Sequence, residues 1–204
     1  MKDVKRVWMF VRWPLLALVL AYAALVIYRI PAIGEAQRTK VAVVNIQAQH
    51  ITMADVLGTN LPPVPYEPEN DATVAGIDKN GNGIRDDVER AIFAKYPNDA
   101  KIRAAELQYA MTEQMFLTDV FNTDTWKAVA QQNSRSYECV GYSVPDSGNS
   151  TSDIKIINSR INEVEALVFN TQAREDAKNK AYNYTTSYGD LGVPNCDIDL
   201  GTLK

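Results

Sequence analysis

Histidine and cysteine, on which many enzymes and metal sites depend, are scarce in this chain of 204 residues. There is one histidine, His50, and there are two cysteines, Cys139 and Cys196. The sequence contains no Cys-x-x-Cys pair, no Gly-x-Ser-x-Gly segment and no phosphate-binding loop. These absences argue against a zinc ribbon, a dithiol redox centre, an α/β-type serine hydrolase and a P-loop nucleotide site. We therefore assign no catalytic residue and regard an enzymatic function as the weaker hypothesis.

The remaining candidates for catalysis have ordinary structural explanations. His50 lies in residues 41–57, whose pattern predicts no definite element, with Asp55 nearby. A lone histidine is more often a surface or packed residue than a general base. Two pairs of glutamates also invite attention, Glu106 with Glu113 and Glu163 with Glu165. Their helical spacing predicts ordinary solvated helix faces.

Charge is divided unevenly along the chain, which has 21 basic and 25 acidic side chains. The first forty residues hold seven basic and two acidic side chains, a net charge of +5. The other 164 residues hold 14 basic and 23 acidic side chains, a net charge of −9. Most of the surface should therefore repel phosphate backbones, and we predict that nucleic acid is not a partner.

An apolar run of eighteen residues, 13–30, follows the basic start of the chain. At about 1.5 Å per residue this length nearly spans a hydrocarbon core of about 30 Å. We predict an N-terminal transmembrane anchor in residues 1–33, although a cleaved signal peptide shares the same pattern. Basic residues before the run favour a single-pass protein with a cytoplasmic N-terminus and a periplasmic or extracellular C-terminal domain.

Cys139 and Cys196 both lie downstream of the apolar run. In an exported domain we expect them to be oxidised to a disulfide. The bridge would close a loop of nearly sixty residues, which stabilises the fold by about 4 kcal/mol in the chain-entropy model. Two separate buried thiols are the alternative.

Residues 34–77 are predicted to be a linker or extended segment. Four prolines between positions 61 and 68 fix their own φ angles and bias the preceding residues towards extended backbone. We expect no helix in residues 61–68. This stretch would lead from the anchor into the domain formed by residues 78–204.

An all-α helical bundle of about five helices is the expected fold, because apolar residues recur at spacings of three and four from Asp86 onwards. The first helix should stop at Pro97, and the second should begin after Asn98 or Asp99 and be central. The third should run from about 125 to 140, the fourth should carry an apolar seam and the fifth should extend to Gly189. The seam consists of Ile154, Ile157, Ile161, Val164 and Val168.

Residues 78–89 match the pattern D-x-[DN]-x-[DN]-G-x5-E at every defined position. This segment resembles an EF-hand-type calcium loop, whose oxygen-rich turn supplies the six to eight hard ligands that Ca²⁺ requires. The resemblance implies that Ca²⁺ is bound by side-chain oxygens, one backbone carbonyl and a bidentate glutamate, with Gly83 at the sharp turn. The implied ligands are Asp78, Asn80, Asn82, the Ile84 carbonyl, Asp86 and Glu89.

The loop lacks the usual EF-hand context. The proline-rich stretch and Gly76 precede it where an entering helix would stand, Arg85 replaces an apolar residue, and no second loop occurs. It is more similar to the solitary loops of dockerin and thrombospondin-type repeats. Two asparagines in place of aspartates predict weak, structural binding, on the order of 10⁻⁴ M. A metal-free turn made by Asn-Gly pairs is the alternative.

These features favour a membrane-anchored, exported interaction or assembly module of the cell envelope with one structural calcium ion. The anchor implies the membrane as one partner, and a protein of the envelope as another. Two other functions fit the same features. One is an envelope enzyme, such as a hydrolase, that calcium stabilises, and the other is a scaffold subunit of a membrane complex.

Overall fold

The structure is a computed structural model that describes the backbone of residues 2–203 and the side chains of residues 12–203. Within this range it is all-helical and contains no strand. Its helices are α1 (Lys2–Ala48), α2 (Met53–Leu57), α3 (Glu67–Asn70), α4 (Asp86–Lys95), α5 (Ala100–Thr118), α6 (Thr123–Ser143), α7 (Ser150–Val168) and α8 (Gln172–Tyr182). A 3₁₀ turn, Leu200–Thr202, follows near the end.

Helix α1 contains the apolar run and is the one helix in the described residues that is long and apolar enough to cross a membrane. The large apolar side chains of the run at positions 13–30 are exposed, among them Leu18, Ile27 and Tyr28. Exposed apolar side chains around a whole helix are typical of a segment that faces lipid.

A compact unit comprises residues 42–204 and has α5 at its centre. Helix α5 packs against α2, α4, α6, α7 and α8, and every residue from Ala100 to Phe116 is buried or half-buried. The second half of the predicted seam of α7 is buried, at Ile161, Val164 and Val168, whereas Ile154 at its start is 53% exposed. Because α5 is covered on every side, it has no solvated face, and its glutamates Glu106 and Glu113 are buried.

Polar side chains cap four helix starts, including the predicted start of α5 at Asp99. Asp99, Asn122, Asn149 and Thr171 each accept a hydrogen bond from a backbone amide in the first turn of the following helix. Such side chains satisfy amides that have no partner inside the helix.

The predicted extension of the last helix to Gly189 is wrong, because α8 ends at Tyr182. Beyond it, Tyr188 packs edge-on against Trp126 of α6, and the Gly189 carbonyl accepts from the Gln131 side chain. These contacts with α6 hold residues 183–189 out of the helical path that their apolar spacing indicated.

Residues 42–77 also differ from the predicted linker. Ile46, Ile51 and Val56 are buried in the core, and α2 lies within this stretch. The expectation of no helix in residues 61–68 fails at its end, because Glu67 and Pro68 open α3. Proline is tolerated in the first turn of a helix, where its missing N–H has no intrahelical partner.

The predicted disulfide joins Cys139 of α6 to Cys196, with Cα atoms 5.0 Å apart. Buried polar side chains hold the same tail. Arg135 donates to the Pro194 carbonyl at 2.8 Å, and Gln108 donates to the Asn195 carbonyl at 2.8 Å. The irregular C-terminal segment is therefore fastened to α5 and α6 by both covalent and polar contacts.

Candidate metal centre

Asp78 folds the loop of residues 78–89 upon itself. Its Oδ1 accepts from the Gly81 amide at 2.8 Å, and its Oδ2 accepts from the Gly83 amide at 2.8 Å. Gly81 and Gly83 have φ angles of 72° and 82°, a region that glycine adopts without strain. Asp78 Oδ1 also accepts from the Asn82 amide at 3.3 Å, which occupies both of its lone pairs, so one lone pair of Oδ2 is left that could bind a cation.

Three predicted ligands bring buried oxygens without a hydrogen-bond donor into the loop. They are Asn80 Oδ1, Asp86 Oδ2 and Glu89 Oε1, three of the five such side-chain oxygens in the described residues. Glu89 is 0% exposed, and its other oxygen accepts from Asn80 Nδ2 at 3.1 Å. Buried oxygens without partners are costly, and a cation within reach of them would offset that cost.

The acids of the loop are held in an environment that disfavours their charges. Burial raises the pKa of Glu89 to about 7, and the nearby charges of Asp55 and Asp86 raise it further, against a hydrogen bond from Asn80. Burial also raises the pKa of Asp86, opposed by a bond from the Lys79 amide. A divalent cation at this point would stabilise both charged forms.

The other predicted ligands lie in the same loop. Asn82 Oδ1 accepts from the Ile84 amide at 2.9 Å, and the Ile84 side chain is buried in the core. No three Asp, Glu, His or Cys side chains are grouped in the described part of the chain so that they could hold a metal ion by themselves. The proposed ligand set therefore depends on amide and carbonyl oxygens as well as carboxylates.

Asp55, which lies near His50 in the sequence, contacts residues 78–89, here called the calcium-type loop. The Asn82 side chain donates to Asp55 Oδ1 at 3.1 Å, and Asn60 donates to the same oxygen at 2.7 Å. Burial would raise the pKa of Asp55, but hydrogen bonds from Thr52, Asn60 and Asn82 lower it. The Thr52-x-x-Asp55 spacing marks a capping box, but no local pattern predicts the contact with the loop.

Two fully buried arginines fasten the loop and the turn before it to the bundle. Arg85 donates to the carbonyls of Leu167 and Val168 at 2.7 and 3.0 Å, at the C-terminal end of α7. Arg174 of α8 donates to the Asn70 carbonyl at 2.7 Å and the Asp71 carboxylate at 2.7 Å. The positive guanidinium of Arg85 is favoured at this position because the last carbonyls of a helix carry a partial negative charge.

The glutamates of α5 are not on solvated faces, which corrects the sequence-based expectation. Glu106 and Glu113 are 2% and 3% exposed, because α5 is covered by its neighbours. Burial raises the pKa of each to about 7. Arg160 lies 3.9 Å from Glu106, and Asn133 donates to Glu113 at 2.7 Å.

His50 forms a pair with Asp197, whose side chain is 2% exposed, at a distance of 3.0 Å. The pair lines a cleft of about 410 Å³ together with Arg135 and Pro194. Neither serine, threonine nor a free cysteine is among the residues lining this cleft, and neither are Glu106 and Glu113. A second cleft, of about 460 Å³, lies between residues 64–71 and α4.

The fold defines a class of protein, a disulfide-bonded helical domain with a long apolar helix before it. Comparison with protein-family models, curated proteins and solved structures finds no match for this chain. The functional conclusions therefore rest on the residues and their geometry.

Proposed function

We propose that this protein is a membrane-anchored, exported helical domain, stabilised by one structural calcium ion, that serves as an interaction or assembly module of a cell envelope. The observation that supports the metal is the set of three buried oxygens without donors, on Asn80, Asp86 and Glu89. Calcium prefers such hard oxygen ligands and tolerates irregular geometry. The first part of the loop, residues 78–85, precedes α4, and Arg85 packs on α7. The ion would therefore join this part of the loop to the helical bundle.

The apolar helix and the disulfide support the location. Helix α1 is long and apolar enough to span a bilayer, and disulfides persist in oxidising compartments outside the cytosol. We infer that α1 anchors the chain, that its N-terminus is cytoplasmic and that residues 42–204 lie in the periplasm or outside the cell. Extracellular calcium concentrations suit a weak structural site.

The cleft between residues 64–71 and α4 supports binding of a partner protein. Ala91 and Ala94 of α4 line it opposite Val64 and Pro65. Val64 and the neighbouring Tyr66 are exposed by 72% and 65%. Apolar and aromatic groups exposed beside a cleft are typical of binding surfaces.

An envelope enzyme is supported less well. The carboxyl groups with raised pKa, Glu106 and Glu113, lie between packed helices, and neither lines the two clefts described above. His50 and Asp197 resemble a base and the carboxylate that orients it, but the cleft they line offers no side-chain nucleophile. A scaffold subunit of a membrane complex differs from a free-standing module in one respect: it would copurify stoichiometrically with other membrane proteins.

The test is thermal unfolding of the full chain in detergent, with calcium or with chelator. At about 10 mM, a hundred times a dissociation constant of order 10⁻⁴ M, calcium should stabilise the wild type by about 2.7 kcal/mol. Asp78→Ala should lower the melting temperature in chelator and abolish the calcium-dependent shift.

The matched control is Asp146→Ala, which removes an exposed aspartate that accepts from the Gly148 amide in a loop away from the site. This variant should keep the full calcium-dependent shift. Equal melting of the wild type in calcium and in chelator would show that the loop is a metal-free turn.

A further inference from the structure

Residues 49–60, here called the α2 arm, contact the calcium-type loop at three points. Gln49 donates to the Asn82 carbonyl at 3.4 Å, and the Asn60 carbonyl accepts from Asn80 at 3.3 Å. Asp55 accepts from the Asn82 side chain at 3.1 Å. The arm is thus in contact with a loop that has neither an entering helix nor a second loop to pair with.

Asp55 is 2% exposed, and hydrogen bonds hold both of its carboxylate oxygens in place. Its Oδ2 accepts from the amide and the hydroxyl of Thr52, at 2.7 and 2.6 Å, as part of the capping box of α2. Its Oδ1 faces Asn60 and Asn82. The buried Asp55 carboxylate lies beside the acids of the loop. It adds a negative charge near Asn80 and Asn82, which are neutral residues in place of aspartates.

The unpartnered oxygens point to a cation independently of this acidic group. Asp86 and Glu89 are 1% and 0% exposed, and each keeps one buried oxygen without a donor. Folding brings the Asp55 carboxylate close to these acids. Repulsion between the negative charges then destabilises the folded protein unless a cation is bound. Carboxylates that orient metal ligands from outside the coordination shell commonly change affinity 10- to 100-fold.

We propose that the α2 arm is part of the metal site, in which Asp55 orients the Asn82 ligand and supplies a charge that strengthens Ca²⁺ binding, so that the ion fastens the arm onto the loop. This inference rests on the proposed calcium site. It adds that the site is built from two separate segments and that metal occupancy controls the order of the α2 arm. Asp55 acts here as a positioning residue, because it binds the ligand Asn82.

The first test is calcium titration calorimetry on the full chain in detergent. Asp55→Asn keeps the size of the side chain and removes its charge, and it should weaken calcium affinity about tenfold. Asp99→Asn is the control, since Asp99 likewise accepts a hydrogen bond at a helix start, as the N-cap of α5, and asparagine caps equally well. The control should bind calcium within about twofold of the wild type.

Hydrogen exchange on the wild type provides a second test that does not depend on the folding of a variant. Saturating calcium should slow exchange of amides in residues 52–60 as well as in residues 78–89, at least about tenfold. Protection of the loop alone, or unchanged affinity in folded Asp55→Asn, would overturn this inference and leave the calcium site standing. Absence of both binding heat and loop protection in the wild type would refute the calcium site itself.

Discussion

Arg85 of the calcium-type loop donates a hydrogen bond to the carbonyl oxygen of Val168, the last residue of α7, at 3.0 Å. The same guanidinium binds both oxygens of Asp87 and the Leu167 carbonyl. An arginine therefore joins residues 78–89 to the C-terminal end of α7.

Replacement of this arginine should be strongly destabilising. Arg85→Met keeps most of the aliphatic volume but leaves buried carbonyls of α7 and the Asp87 carboxylate without their donor. We expect a loss of about 3–4 kcal/mol in the free energy of unfolding, in the range found when one partner of a buried charged network is removed. Lys155→Met, on the exposed face of α7, should change it by less than about 0.5 kcal/mol. Chemical denaturation of the full chain in detergent measures both.

Gly76 lies directly against Arg85. It has a φ of 69°, and a Cβ added there would approach Arg85 Cδ to 2.2 Å. Gly148 has a similar φ of 71° with nothing within 4 Å. Gly148→Ala should therefore cost only the backbone strain, about 1 kcal/mol, whereas Gly76→Ala should cost at least about 2 kcal/mol more because Arg85 must move. Equal melting temperatures for the two variants would contradict the close packing of Gly76 on Arg85.

Glu89→Gln should shift stability in opposite directions with and without calcium. At about pH 8 the buried carboxylate of the wild type is charged, and burial disfavours that charge. In chelator the glutamine variant should therefore melt at or above the wild-type temperature. In millimolar calcium it should melt below, because the bidentate ligand is lost. Curves that keep the same order in both conditions would argue against a cation bound by Glu89.

The buried Glu106 should make stability depend on pH. Burial raises its pKa to about 7, against a hydrogen bond from Tyr96 and the positive charges of Arg160 and Lys95. The folded protein then holds a proton that the unfolded chain has already lost. The stabilisation is complete below about pH 4.5 and is lost as the pH rises through about 7.

Glu106→Gln removes the ionisable group, so the fall in stability between about pH 4.5 and 7 should become smaller by up to about 3 kcal/mol. Urea denaturation at a series of pH values measures this slope. Glu67→Gln, on the surface beside the second cleft, is the control and should leave the slope unchanged. A variant with the wild-type slope would show that Glu106 ionises normally in the folded state.

The amino-acid sequence by itself determined the local features of this protein. The apolar run within α1, the capping residues Asp99 and Asn122 and the start of α4 at Asp86 all follow from short-range patterns. The hydrogen bonds of Asp78 to its own loop are local in the same way. Helix starts and tight turns are recognisable because side chains satisfy backbone groups a few residues away.

Only the tertiary structure decided which polar groups are buried and what they meet. Asp55 contacts Asn82 across 27 positions of the chain, and Arg85 meets Val168 across 83. Glu106 and Glu113 have the spacing of a solvated face, yet α5 is enclosed by five other helices. Local spacing fixes the face of a helix on which a residue lies, whereas its burial depends on the neighbouring elements that fold against that face.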